Sequence, residues 1–303
     1  GYTIVVADLR AHGASFGGAD PGQLSTVQNR DSFDLIAWIA EQPWTTGKVG
    51  MLGGSYLGVV QYGAASQNPP ALKAIFPSVA PFDLYDDLNT GGVEWTPDNS
   101  SGSVVDFIAL LDEGSVPADT SNIRARKMKY SGRRVALVDD SKSEVLFADA
   151  IEIRSIAIGD LKRFTLRTEE GRHHYLTYRN TVPKFPFRGH GSNVRDFLPH
   201  LNAAGIPIYI WSGWRDIVPR APLSLFRNYT GPVKVAMGPW GHGHDSGVRG
   251  KASHTLYGIE ALRWYDHWLK GIDNGVMDGP AISYSIAGND PHQWAWQGTN
   301  QWP

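Results

Sequence analysis

Val49-Gly50-Met51-Leu52-Gly53-Gly54-Ser55-Tyr56-Leu57-Gly58 decides the fold. Its first five residues read as a short buried strand, and Ser55 to Ala65 reads as a helix, so the serine falls on a sharp strand-to-helix turn. Small neighbours let such a turn adopt a strained backbone and lift the hydroxyl to the top of a sheet. The same turn aims the amide of Tyr56 and the positive end of the helix at one spot, which suits an oxyanion forming on an attacked carbonyl. The general motif has glycine two places after the serine; here that place is Leu57, and Gly58 follows it.

On either side the pattern alternates between strand and helix. Thr3-Ile4-Val5-Val6-Ala7 is an apolar, β-branched run of the kind buried on both faces of a sheet. Phe33, Ile36, Ala37, Ile39 and Ala40 follow helical spacing, and Leu72 to Pro77 is a further short strand. Ile206 to Trp211 and Val233 to Met237 resume the strand pattern, Pro222 to Tyr229 fits a crossover helix, and Thr255 to Lys270 a final helix. Such alternation implies a parallel sheet covered by helices on both faces.

Between about Pro81 and Asp196 the pattern loosens, with short helical (Phe107 to Leu111) and strand-like (Val135 to Val138, His174 to Tyr178) pieces, and reads as an insertion. The expected organisation is an α/β core over 1–84, a cap insertion over 85–196, the rest of the core over 197–279, and the start of a C-terminal β domain over 280–303. The chain opens inside a strand-like run and ends just after a new β unit begins, so it is expected to be part of a longer chain, truncated at both ends.

Two further motifs follow strands, where open α/β sheets place their sites. In Ser212-Gly213-Trp214-Arg215-Asp216 the carboxylate can accept a histidine Nδ1 hydrogen; in Gly238-Pro239-Trp240-Gly241-His242-Gly243 the histidine can act as general base. Each has a plain structural reading: a tight turn, a helix cap, or half of a metal site with His244. The order Ser55, Asp216, His242 is that of α/β-hydrolases and lifts the set above its members.

Composition removes other classes. The formal net charge is -2 with 19% charged residues, which gives no electrostatic argument for nucleic acid or an anionic membrane surface. With no cysteine, a thiolate nucleophile, a disulfide framework and thiolate metal sites are all excluded. No apolar run approaches the roughly 20 residues of a membrane span. The loop with Gly13, Gly17 and Gly18 lacks nucleotide-binding spacing, and no metal or cofactor is expected. The aromatic stock of 11 Trp, 12 Tyr and 11 Phe is read as core and domain-interface packing.

Several stretches together resemble the X-Pro dipeptidyl-peptidase and cocaine esterase group of serine hydrolases, which includes α-amino-acid ester hydrolases and glutaryl acylases. They are Gly1 to Arg10 with Gly13 and Ser15, Gly47 to Met51 running into Gly53 to Gly58, Gly213 to Asp216, Gly238 to His242, and Arg263 to Gly271 with Trp294 and Trp302-Pro303. The serine followed by Tyr56 and Gly58 is that group's own form of the turn. The resemblance implies a triad of Ser55, Asp216 and His242, with the Tyr56 amide as one oxyanion donor. It also implies a second donor from a tyrosine upstream of the strand at 3–8, a helical cap and a C-terminal jelly roll. Residues 120–182 do not match a helical cap comfortably. The implied substrate is a small ester, amide or short peptide; the sequence is silent on oligomeric state and compartment.

Overall fold

The computed structural model describes residues 1–10, 15, 26–83, 87, 194–242, 251–287 and 294–302. The chain divides into two compact units, one of Gly1–Gln23 with Thr96–Pro186 and one of Leu24–Trp95 with Phe187–Pro303. In the first unit, the Ser15 hydroxyl donates to the Asp8 carbonyl at 2.8 Å. The short pieces expected between 107 and 178, and nearly all of the expected cap insertion, lie outside the described residues.

The second unit carries the sheet. In chain order its elements are α1 (Thr26–Glu41), β1 (Val49–Gly54), α2 (Tyr56–Ser66), β2 (Leu72–Ser78), α3 (Val194–Ala204), β3 (Ile208–Arg215), α4 (Ala221–Asn228), β4 (Val233–Gly241), α5 (Lys251–Lys270), β5 (Ile282–Ala287) and β6 (Trp294–Thr299). The strands lie side by side in that same order; β1 to β5 are parallel and β6 pairs antiparallel with β5.

Period-two alternation sends successive apolar side chains of the central strands to opposite faces of the sheet. Ile75, Ile208, Ile210, Val235, Met237 and Ile282 point into one core with Ile36, Val59, Tyr62, Phe197, Leu201 and Leu225 of the helices α1 to α4. Their neighbours Ala74, Phe76, Tyr209, Trp211 and Ala236 point the other way, against Ala261, Trp264 and Tyr265 of α5. Both faces are therefore covered, and the helices α1 to α4 are segregated from α5 by the sheet. α2 approaches α1 closely at Gly63, where a side chain would collide with the Asn29 amide of α1.

One expectation changes, and two observations bear on the expected boundaries. Residues 1–9 form no strand, and Ile4 and Val6 are 84% and 89% exposed. β-branched residues supply the propensity, but a strand exists only through a hydrogen-bonded ladder, and no strand of the described sheet includes 3–8. The stretch after Pro280 forms strands as expected, and they join the same sheet, with Ile282 pairing with Val235 of β4. Finally, α3 straddles the expected boundary at 196, with Val194, Phe197 and Leu201 buried at helical spacing. Among the described residues no helix is long and apolar enough to cross a membrane.

Ile210 is wholly buried in the middle of β3. Ile210→Ala is expected to destabilise the fold by about 2 to 5 kcal/mol, read as a lower midpoint of urea unfolding followed by circular dichroism.

Candidate active site

The C-terminal ends of β1, β3 and β4 meet at one edge of the sheet. Ser55 stands between β1 and α2 at φ 57° and ψ −122°, outside the regions a residue with a Cβ prefers. Its N–H donates to the Ser78 carbonyl at the end of β2 (2.8 Å), and its carbonyl accepts the N–H of Gly58 (2.9 Å) and Val59 (3.0 Å). Two glycines let the turn sit this close. A Cβ on Gly54 would lie 2.8 Å from the Ser78 hydroxyl, and one on Gly58 would lie 2.7 Å from the Ala80 methyl and 3.0 Å from the Ser78 carbonyl. That accounts for the shifted glycine in the sequence: Gly58, not position 57, faces the end of β2, while Leu57 is 60% exposed.

Tyr56 is the first residue of α2, so its N–H lies at the N-terminal end of that helix. Its side chain is tied back through a hydroxyl donating to Gln28 Oε1 at 2.8 Å. Val79, buried just past β2, also has a positive φ of 44° and donates its N–H to the Trp211 carbonyl at 2.8 Å.

Asp216 follows β3. The β3–β4 register shifts between Gly213 and Arg215, and Gly213 is needed there because a side chain would run into the Trp240 backbone. The Asp216 carboxylate accepts the Val218 N–H at 3.3 Å and faces the Ser212 hydroxyl at 3.4 Å. His242 is the first residue after β4, anchored by Trp240, whose ring stacks on Trp211 at 4.8 Å and 8°. Its Nδ1 lies 2.8 Å from Asp216 Oδ1 and its Nε2 lies 2.9 Å from Ser55 Oγ.

The three residues singled out in the sequence are thus brought into one chain of hydrogen bonds. The Asp216 side chain is fully buried while that of His242 is 34% exposed, so one end of the chain is dry and the other reachable. A carboxylate at Nδ1 fixes the N–H there and leaves the Nε2 lone pair to accept the serine proton. What the sequence reading missed is the layer that holds the turn, chiefly Gln61, Ser78 and Val79. A buried glutamine in the apolar run of α2 was the available signal.

A serine turn between a parallel strand and a helix, with an acid and a histidine after later strands of the same sheet, defines the chain as an α/β-hydrolase. It belongs to the X-Pro dipeptidyl-peptidase (S15) family, whose profile matches residues 1–244 and so spans all three residues. Cocaine esterase of Rhodococcus is 25% identical over 323 residues, covering 100% of this chain and 50% of that protein. A Mycobacterium bovis protein carrying a serine-esterase name is 27% identical over 339 residues, with 100% of this chain and 49% of the relative covered. Among solved structures, a CocE/NonD family hydrolase of Staphylococcus aureus aligns with a TM-score of 0.58 at 18% identity, covering 97% of this chain and 41% of that one. An α-amino acid ester hydrolase aligns with a TM-score of 0.53 at 19% identity, covering 98% and 47%. The chain spans about half the length of the relatives it matches.

Just beyond β2 lies a carboxylate pair. Asp83 is bonded by Arg195 of α3 at 3.1 Å, and Asp87 Oδ2 accepts the N–H of Phe82 (2.8 Å) and of Asp83 (3.0 Å). Burial raises the Asp87 carboxyl to about 6; the two amide bonds oppose that rise, the charge of Asp83 adds to it and that of Arg220 opposes it. The folded state therefore holds this proton more tightly than the unfolded chain, whose value is near 3.8. The stability contributed is complete below that value and is lost as pH rises through about 6. Asp87→Asn, which keeps an acceptor oxygen but cannot ionise, is expected to match the wild type in melting temperature near about pH 4 and exceed it near about pH 7.5. Thermal melts across that range check this; a difference independent of pH would contradict it.

Proposed function

We propose that this chain is the catalytic region of a serine hydrolase that cleaves a carboxylic ester or acyl amide through an acyl-enzyme on Ser55. The observation that carries the reading is the continuous hydrogen-bond chain from Asp216 through His242 to Ser55. In this mechanism His242 Nε2 takes the Ser55 proton as Oγ attacks the carbonyl carbon. Asp216 holds the ring and stabilises the imidazolium. The Tyr56 N–H, at the positive end of α2, donates to the oxyanion of the tetrahedral intermediate. That intermediate collapses as His242 hands the proton to the leaving alcohol or amine. Water then repeats the cycle on the acyl-enzyme, releasing the acid and restoring Ser55.

The family description keeps cleavage of X-Pro peptides as a second reading. Among the described residues, the state of the carboxylates beyond β2 favours the first. A peptidase that grips a free amino terminus needs an acidic seat for it, and the pair beyond β2 is already engaged, Asp83 by Arg195 and Asp87 by two backbone amides. A small-molecule ester needs no such seat.

Labelling with a fluorophosphonate probe tests the reading. Ser55→Ala and His242→Ala are expected to abolish labelling, and Asp216→Asn to slow it on the order of 10⁴-fold. Aryl esters are expected to be turned over with higher kcat/KM than X-Pro amides. A folded sample that does not label would overturn the catalytic reading in favour of a binding module built on the same fold.

A further inference from the structure

The buried side chain of Gln61 is wholly used, and each partner belongs to the frame around Ser55. Its Nε2 donates to the Gly53 carbonyl at 3.1 Å and to the Leu57 carbonyl at 2.9 Å, and its Oε1 accepts the Phe76 N–H at 3.0 Å. Gly53 lies two residues before Ser55 and Leu57 two after it, while Phe76 is in the strand that β1 leans on. One carboxamide therefore ties the end of β1, the first turn of α2 and β2 together, around the residue with the strained backbone.

The Gly53 carbonyl is held a second time, from β2, by the Ser78 hydroxyl at 3.3 Å. Ser78 is itself bonded by Tyr257 of α5, on the opposite face of the sheet. The peptide leading into the turn is thus gripped from both layers. Gln61 does not touch the reacting atoms. Packing alone would be served by an apolar side chain at this depth; the amide is needed only because its partners are backbone groups whose positions set where Ser55 Oγ points.

We infer that Gln61 is a positioning residue for the nucleophile, holding the strained Ser55 turn at the 2.9 Å reach of His242 by clamping Gly53, Leu57 and Phe76. This rests on Ser55 being the nucleophile. Displacements of about 1 Å at a reacting group can cost on the order of 100-fold in rate without changing how substrate binds.

The test compares wild type with Gln61→Met, which keeps length and volume but has no amide, and Gln61→Glu, which keeps the acceptor and loses the donors when ionised. Fluorophosphonate labelling rates and aryl-ester kinetics are measured together with hydrogen exchange at the Ser55 amide. Gln61→Met is expected to lower kcat and the labelling rate by roughly 10- to 100-fold, to leave KM within about twofold, and to speed exchange at Ser55. Gln61→Glu regains a donor when protonated, so its rate relative to wild type is expected to rise as pH falls, a signature that a purely space-filling role does not give. Unchanged kcat with a lowered melting temperature, or a flat rate ratio against pH, would overturn the inference. Failure of wild type to label would instead strike the catalytic reading, and the exchange of the Ser55 amide would still decide whether Gln61 holds the turn.

Discussion

Ser55 occupies a backbone conformation that costs of order 1 to 3 kcal/mol, and most of what surrounds it serves to keep it there. Its amide is bonded to the end of β2, Gly54 and Gly58 allow that approach, and Gln61 and Ser78 hold the carbonyl two residues upstream. The strain has a geometric purpose: it turns the side chain out of the sheet at the mouth of a helix, where an amide and a dipole already point. Asp216 and His242 can then reach it because β3 and β4 run parallel to β1 and end at the same edge.

Much of this was legible in the sequence, and the reason is physical. Strands buried on both faces leave largely apolar runs, so β2, β3 and β4 announced themselves, and the separation of 26 residues from Asp216 to His242 leaves room for α4 before β4. Local chemistry marks a strained turn equally well, since only small residues fit around it. The three candidate residues drew notice because Ser55, Asp216 and His242 each directly follow a strand that could be seen.

What the sequence hid were relations between distant segments. Residues 3–8 have the composition of a strand but not its ladder, and composition says nothing about pairing. The strand-like composition beyond Pro280 does not say which sheet its strands join, because a strand's sheet is set by its neighbour, for Ile282 the residue Val235 in β4, 47 residues earlier. Gln61 looked like one polar residue in an apolar helix; its meaning depends on Phe76, 15 residues on, and on a carbonyl that carries no sequence signal. Arg195 and Asp83, 112 residues apart, form an ion pair that no local pattern could join.

The family fixes the chemistry more firmly than the substrate. Its relatives carry the names of serine esterases and of Xaa-Pro dipeptidyl-peptidases, and the proposed mechanism sends either reaction through Ser55, so the covalent intermediate is the decisive species of that proposal. Rapid acid quench of the chain with an activated aryl ester, followed by intact mass and peptide mapping, tests this most directly. The account requires a mass increment equal to the acyl group on the peptide containing Ser55, absent from His242→Ala. Turnover of the ester with no acyl group on Ser55, or with the group on another residue, would contradict it.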